Sequence, residues 1–287
     1  MELFRTLGAL IEPPGPGLRP LADALELGPV PTEAEHTELF LFQLYPYASV
    51  YLGAEGMLGG EPRDRIAGFW RALGHAPPEE PDHLTVMLAF YAALSEQSAA
   101  GDPVSRERGL RARQAYLWEH LLSWLPAFLA KLELHAPPFY RRWGQILYQA
   151  LAGELETVGR QRRLALHLRE APGIADPSEL GLDAFLDSLL SPVRSGIILV
   201  RSDLSRAAGE LGLGSRIGER RFVLKALLGQ EPAAILNWLA EESAAWAERY
   251  RCQEALWGSS VAFWAERAGI TADLVGRLMP SLGARQV

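Results

Sequence analysis

Apolar residues recur at helical spacing through most of this chain, and that periodicity limits the possible folds more than any other feature. In one segment, four apolar residues fall at positions i, i+3, i+4 and i+7 and so form one stripe of a helix: Ile66, Phe69, Trp70 and Leu73. Similar stripes follow, usually with Pro or Gly near their ends, whereas the one strand-like run, residues 196–200, has no second strand to pair with. The sequence therefore predicts an all-α protein, a multi-helix bundle of antiparallel helices joined by short turns.

Proline and glycine divide the chain into three parts. Residues 1–32 are rich in both and predict an irregular N-terminal arm with one short helix at Leu21–Leu27. Residues 33–172 carry the clearest helical stripes and predict a helical core. A Pro- and Gly-containing break follows, so residues 173–287 are predicted to form an additional C-terminal helical region, either an extension or a subdomain.

The composition is typical of a globular protein that has no general attraction to nucleic acid. The chain has 287 residues, of which 48% are hydrophobic, so it can bury a sizeable core. Its formal net charge of -7 means that DNA or an anionic membrane would need a local basic patch. The start lacks the basic and long apolar stretches of a signal peptide, which predicts a cytoplasmic protein. The single cysteine, Cys252, is predicted to be a small buried hydrophobe.

The motifs that usually carry catalysis are missing. None of the six histidines lies in a His-Glu-x-x-His pattern, and no cysteine cluster accompanies them. We find no phosphate-binding Gly-x-x-x-x-Gly-Lys-Ser/Thr, no dinucleotide-binding glycine pattern and no Gly-x-Ser-x-Gly turn. The sequence therefore predicts a protein that is not an enzyme and has no cofactor and no metal, although a metal site built from distant residues stays open.

Three segments stand out from the helical background. The first contains Tyr47, Ser49 and Tyr51, with Met57 in the glycine-rich stretch that follows. The second, residues 79–83, is here called the acidic loop. It contains Glu79, Glu80, Asp82 and His83, and Pro81 holds its preceding residue extended. Asp82 is expected to cap the next helix, with His83 in the exposed first turn.

The third segment places His120 and Trp124 four residues apart, on one face of a predicted helix. Leu125-Pro126 follows directly, and Pro138-Phe139-Tyr140 lies further along the chain.

Together these segments resemble the redox-enzyme maturation chaperones of the TorD/DmsD/NarJ-like family. The matching pieces occur in family order over about residues 33–160: Tyr47-x-Ser49-x-Tyr51 with Met57-x-Gly59, Glu79-x-x-Asp82-His83, and His120-x-x-x-Trp124-Leu-Pro before Pro138-Phe139-Tyr140. The resemblance implies an all-helical chaperone without catalytic activity. It also implies a partner, namely an apo molybdopterin-containing oxidoreductase subunit or its twin-arginine leader, held during cofactor insertion and before export.

On that resemblance, the acidic loop would face the arginines of the partner, and Glu80 stands where the family commonly has proline. Whether Glu80 replaces or assists Glu79 stays open. Arginine pairs well with carboxylates and stacks on aromatic rings, so an acidic cleft lined by rings suits such a partner. The aromatic residues could equally pack the core, and Asp82 could be a simple helix cap, so we favour the loop as the functional element.

The C-terminal region offers a different interpretation. Two short predicted helices about a glycine turn, within residues 202–225, could form a helix-turn-helix of a DNA-binding regulator. Four basic residues would supply its local charge: Arg216, Arg220, Arg221 and Lys225. We favour ordinary packed helices here, which makes nucleic acid an improbable partner. The sequence leaves open whether the chain is a monomer or a homodimer, and whether it binds a nucleotide.

Overall fold

The computed structural model describes residues 1–99, 102–159 and 163–283, and within these ranges helices joined by loops make up the protein, with no strand. The predicted all-α fold is therefore confirmed. The chain packs as two compact units. The first comprises Met1–Ser49 and Leu58–Ala165, and the second comprises Val50–Met57 and Leu166–Val287. The three-part division predicted from the sequence stays a prediction, because compactness does not establish which part folds or functions alone.

The first unit is an assembly of packed helices. Its helices are α1 (Glu2–Ala9), α2 (Leu18–Ala24), α3 (Glu33–Thr37), the start of α4 (Ala48–Leu52), α5 (Gly60–Ala72), α6 (Leu84–Ala99), α7 (Pro103–Ala115), α8 (Leu125–His135) and α9 (Pro138–Val158). Helix α6 packs against α1 and α7, while α9 packs against α8. Proline or a capping side chain begins several of them. Thr32, for example, accepts a hydrogen bond from Glu35 N, and the Glu35 carboxylate accepts one from Thr32 N.

Residues 1–32 contain α2, which overlaps the short helix predicted at Leu21–Leu27, and α1, which the sequence does not predict. Phe4 and Leu7 of α1 are buried, and Phe4 makes an edge contact with Tyr91 of α6 at 5.2 Å between ring centroids. Arg5 also pairs with Glu96 of α6, at 2.5 Å. The contacts that hold α1 thus come from residues far along the chain, in α6 and α9, which local composition cannot reveal.

Two π-helical segments interrupt the regular helices of the first unit. One, Glu38–Gln43, continues α3, and the other, Tyr116–Leu121, continues α7. The second ends in a turn before α8, because Pro126 can occupy the first turn of a helix but not its interior. Single π-turns are rare, and they occur often at functional sites.

The second unit is an all-helical assembly whose two longest helices pack along each other. Its helices are α10 (Leu166–Arg169), α11 (Pro177–Leu189), α12 (Pro192–Ser195), α13 (Arg201–Glu210), α14 (Arg220–Gln230), α15 (Pro232–Arg251), α16 (Glu254–Trp257) and α17 (Ser259–Gly283). Helix α15 lies along α17, and their buried rings include Trp246, Tyr250 and Trp264. The strand-like residues 197–200 form a buried connection between α12 and α13.

Val50–Met57 belongs to the second unit although its neighbours in sequence belong to the first. Ser191 Oγ donates a hydrogen bond to Gly53 O at 3.0 Å, and a side chain on Gly56 would meet the backbone of Leu190 and Ser191. The chain therefore enters the second unit twice.

Cys252 is exposed, so the prediction that it is buried is wrong. It follows the last turn of α15, on the solvent side of that helix end. No helix in the described ranges is long and apolar enough to cross a membrane.

Candidate functional site

The acidic loop is fastened to the segment before α4 by backbone hydrogen bonds. Ala48 N donates to Asp82 O at 3.0 Å, and Leu84 N donates to Pro46 O at 2.8 Å. These bonds frame an isolated antiparallel bridge between Tyr47 and His83. The first two segments that the sequence singles out are thus neighbours in space, and α6 begins directly after the loop.

Asp82 is buried rather than exposed, with only 2% of its surface accessible. Its Oδ2 accepts a hydrogen bond from Ser49 N at 3.3 Å, and Ser49 Oγ in turn accepts one from Gly59 N at 3.0 Å. Asp82 and the fully buried Ser49 therefore hold two chain segments together. Pro81 is buried as well, so the loop turns inward at this point and the Asp82 side chain does not lie at the surface.

Tyr47 and His83 are both partly accessible, and their side chains contact each other. Their rings meet edge to face with centroids 4.7 Å apart, and Tyr47 OH donates to Glu80 Oε2 at 3.0 Å. Partial burial, followed by the Glu80 carboxylate, raises the pKa of Tyr47 to about 12, so its hydroxyl keeps its proton. His83 was expected in an exposed turn, but its side chain is only 13% accessible.

A carboxylate from the N-terminal segment joins this pair. Glu12 Oε1 lies 3.7 Å from His83 Nδ1, and the Glu12 side chain is 46% accessible. Burial lowers the pKa of His83, while Glu12, Glu80 and Asp82 act in the opposite direction. Three carboxylates thus surround one imidazole and one phenol.

Glu79 and Glu80 are the exposed members of the acidic loop. The backbone of Glu79 accepts a hydrogen bond from Arg63 Nη2 at 2.7 Å, which ties the loop to α5. The surface formed by Glu12, Tyr47, Glu79, Glu80 and His83 is here called the acidic patch. Sequence reasoning missed Glu12, because it lies about seventy residues before the loop in a stretch without a motif.

His120 and Trp124 lie inside the first unit and not on its surface. His120 is 2% exposed, and its ring packs against Phe69 and Tyr116 at centroid distances of 5.0 and 5.3 Å. Trp124 is fully buried and donates from its indole nitrogen to His120 O at 2.9 Å. Burial, followed by the charge of Arg65, lowers the pKa of His120 to about 3, so the imidazole is neutral at physiological pH.

The remaining predicted residues, Tyr51 and Met57, belong to the second unit. Tyr51 is buried, with 1% of its surface accessible, whereas Met57 is 65% exposed. Tyr47 precedes α4, and Tyr51 lies within it.

Carboxylates pair with Arg221 and Lys225 of the alternative DNA-binding segment. Arg221 donates to Asp187 and Asp183 at 2.6 and 2.8 Å, and Lys225 donates to Asp183 at 3.1 Å. Carboxylates of α11 thus neutralise one side of α14, which disfavours binding to a phosphate backbone along that side.

The acidic patch can attract a cation, but no arrangement in the described ranges resembles a metal centre. No three of the potential ligand residues there are grouped to hold a metal ion. What the geometry provides is a set of hydrogen-bond acceptors beside two rings, which suits a guanidinium or ammonium group.

Comparisons with known proteins point in one direction. Residues 14–130 match the family model described as the nitrate reductase delta subunit. The chaperone protein TorD of Vibrio vulnificus strain CMCP6 is 36% identical over 88 residues, which cover 29% of this chain and 41% of that protein. TorD of Psychrobacter sp. strain PRwf-1 is 29% identical over 136 residues, which cover 43% of this chain and 61% of that protein. The selenate reductase assembly chaperone protein of Thauera selenatis is 33% identical over 113 residues, which cover 38% and 57% of the two chains.

The fold and the acidic patch define an all-helical protein whose distinctive surface is suited to binding. Over residues 14–130, the chain is similar to proteins of the TorD-like family. It spans only about two fifths of the length of the first of these relatives.

Proposed function

We propose that this protein is a cytoplasmic chaperone that binds an apo molybdopterin-containing oxidoreductase subunit, its twin-arginine leader, or both, before cofactor insertion and export are complete. In this role it acts by binding and not by catalysis. The observation that carries the proposal is the likeness of residues 14–130 to the nitrate reductase delta subunit family. All residues of the acidic patch except Glu12 lie within this range.

The acidic patch would receive arginine side chains of the leader. Glu80 and Glu12 are both accessible, and each lies beside a ring that can stack on a guanidinium plane. Tyr47 keeps its proton, and its bond to Glu80 fixes the position of that carboxylate before the partner arrives. A preorganised acceptor loses less conformational entropy when it binds.

Asp82 and Ser49 would act indirectly, because they shape the loop and do not touch the partner. His120 and Trp124 would contribute through the packing of the interior of the first unit. The residues proposed to bind the partner directly are therefore Tyr47, Glu79, Glu80, His83 and Glu12, with the exposed Met57 as a separate apolar contact.

The test measures binding of a twin-arginine leader peptide by isothermal titration calorimetry. The double variant Glu12→Gln with Glu80→Gln removes two charges while keeping side-chain size. We expect affinity to fall by about tenfold, since a hydrogen bond to a charged group contributes about 1.5–3 kcal/mol and exposure reduces that value. A peptide with two lysines in place of the arginines should also bind more weakly to the wild type.

The matched control is Glu33→Gln with Glu38→Gln, which removes two exposed carboxylates from α3 and its π-helical continuation. It should change affinity by less than about twofold. Equal affinity in the wild type and the patch variant would remove the acidic patch as the leader site. Failure to capture either the leader or a cofactor-free oxidoreductase subunit would remove the proposed function.

A further inference from the structure

The second unit contains a small cavity with a lining unlike that of the acidic patch. The cavity has a volume of about 170 Å³ and lies between the first turns of α13 and α14. Three arginines and two serines line it, together with apolar residues: Arg201, Arg216, Arg220, Ser205 and Ser215. None of its lining residues in the described part of the chain carries a carboxylate.

Arg220 lies on α14, and two other basic residues of that helix have different surroundings. Arg221 and Lys225 face α11 and are paired with Asp183 and Asp187. Arg220, one residue earlier on α14, faces the cavity, and its Nη1 donates to Leu199 O at 2.6 Å. Arg220 therefore lies on a different side of α14 from Arg221 and Lys225.

Arg216 lies at the accessible edge of the cavity. Its guanidinium stands 5.9 Å from the centroid of the Phe222 ring, which holds the side chain beside α14. Ile217, the next residue, is fully exposed, so this edge is open to solvent. A ligand can therefore enter without rearrangement of the helices.

We propose that this cavity binds a phosphate group, which the guanidinium groups and the serine hydroxyls would hold from several sides. Arginine presents its donors in a planar fork that matches phosphate oxygens. The volume is several times the share of one liquid water molecule, about 30 Å³, and below the roughly 300 Å³ of common small-molecule pockets. It suits one phosphate group and not a whole nucleotide. This inference is independent of the proposed function.

The test is calorimetric titration of the full chain with inorganic phosphate at constant ionic strength. Arg216→Ala should weaken binding by about tenfold or more, because it removes a charged donor at the cavity edge. The matched control is Arg221→Ala, which removes the same charge from the neighbouring side of α14 and should bind phosphate like the wild type. Ser215→Asp, at an exposed position, places a carboxylate in the cavity and should abolish binding.

Titrations with further phosphate compounds show whether the cavity recognises the phosphate group alone or a larger molecule. Similar affinity for inorganic phosphate and glycerol phosphate would show recognition of the group alone, as proposed. Binding of adenosine triphosphate without binding of inorganic phosphate would overturn the proposal, as would a wild type that shows no saturable phosphate binding below about 10 mM. Equal losses in Arg216→Ala and Arg221→Ala would indicate diffuse attraction to a basic surface and would overturn it as well. Leader binding should be unchanged in all three variants.

Discussion

Asp82 and Glu80 lie two residues apart in the acidic loop, yet one is 2% exposed and the other is accessible. The difference follows from their partners. Asp82 accepts from the backbone of Ser49, whereas Glu80 accepts from a tyrosine hydroxyl at the surface. Mutating Asp82 therefore tests stability first and partner binding only indirectly.

We predict that Asp82→Ala lowers the free energy of unfolding by about 1–3 kcal/mol, because it leaves the buried Ser49 N without its acceptor. Glu79→Ala, on the exposed side of the same loop, should change it by less than about 0.5 kcal/mol. Urea unfolding followed by circular dichroism measures both. Equal stability of the two variants would contradict the structural role of Asp82.

His120 gives a pH dependence with a defined sign. Its pKa in the folded protein is about 3, below the value of about 6.5 expected in the unfolded chain. Between these values the unfolded chain binds a proton that the folded protein does not. We therefore predict that the free energy of unfolding falls as pH decreases from about 6 to about 4, with a contribution from His120 of about 1.4 kcal/mol per pH unit.

The pH dependence of the free energy of unfolding is compared with that of the variant His120→Phe. This variant keeps an aromatic ring against Phe69 and Tyr116. All other titrating groups are shared, so the variant should lose stability less steeply over that pH range. Parallel stability curves for the two proteins would mean that His120 does not titrate as its burial implies.

At the scale of helices, Gly196 and Gly258 form a natural pair for comparison. Both have positive φ, +77° and +59°, a conformation that disfavours other residues. A side chain on Gly196 would lie 2.2 Å from Ala268 N of α17, whereas one on Gly258 would meet nothing within 4 Å. The turn after α12 is thus in direct contact with α17, and the turn before α17 is open.

We predict that Gly258→Ala lowers the free energy of unfolding by about 1–3 kcal/mol, since its backbone at φ 59° and ψ −135° strongly favours glycine. Gly196→Ala should lower the free energy of unfolding by at least about 3 kcal/mol, because steric overlap adds to the same strain. Differential scanning calorimetry of both variants distinguishes the two effects. Similar losses in the two variants would contradict the close packing of Gly196 on α17.

Most helices could be predicted from the sequence, because their stripes and terminal prolines are local signals. The stripe of Ile66 and Phe69, for example, lies in α5 as expected. Helix α1 was missed because its stability depends on α6, far along the chain. The acidic loop could be recognised from its residues, but the burial of Asp82 and the approach of Glu12 could not. Both depend on segments that fold back from distant positions.

For the whole molecule, the position of Val50–Met57 governs how the chain can be divided. Tyr51 and Leu52 are buried, and Gly53 bonds to Ser191 of the second unit. We predict that a fragment of residues 1–165 exposes these apolar side chains and increases the fluorescence of the dye ANS relative to the full chain. Adding residues 166–287 in trans should reduce that fluorescence. A fragment that binds no dye would contradict this prediction.

The same segment limits how such a protein could be recombined with its relatives. A single gene fusion after residue 165 would bring in Leu166–Val287 but would leave the resident copy of residues 50–57 to pack against a foreign surface. A functional chimaera therefore needs three junctions, after residues 49, 57 and 165. The two chain segments that form the second unit must then be exchanged together.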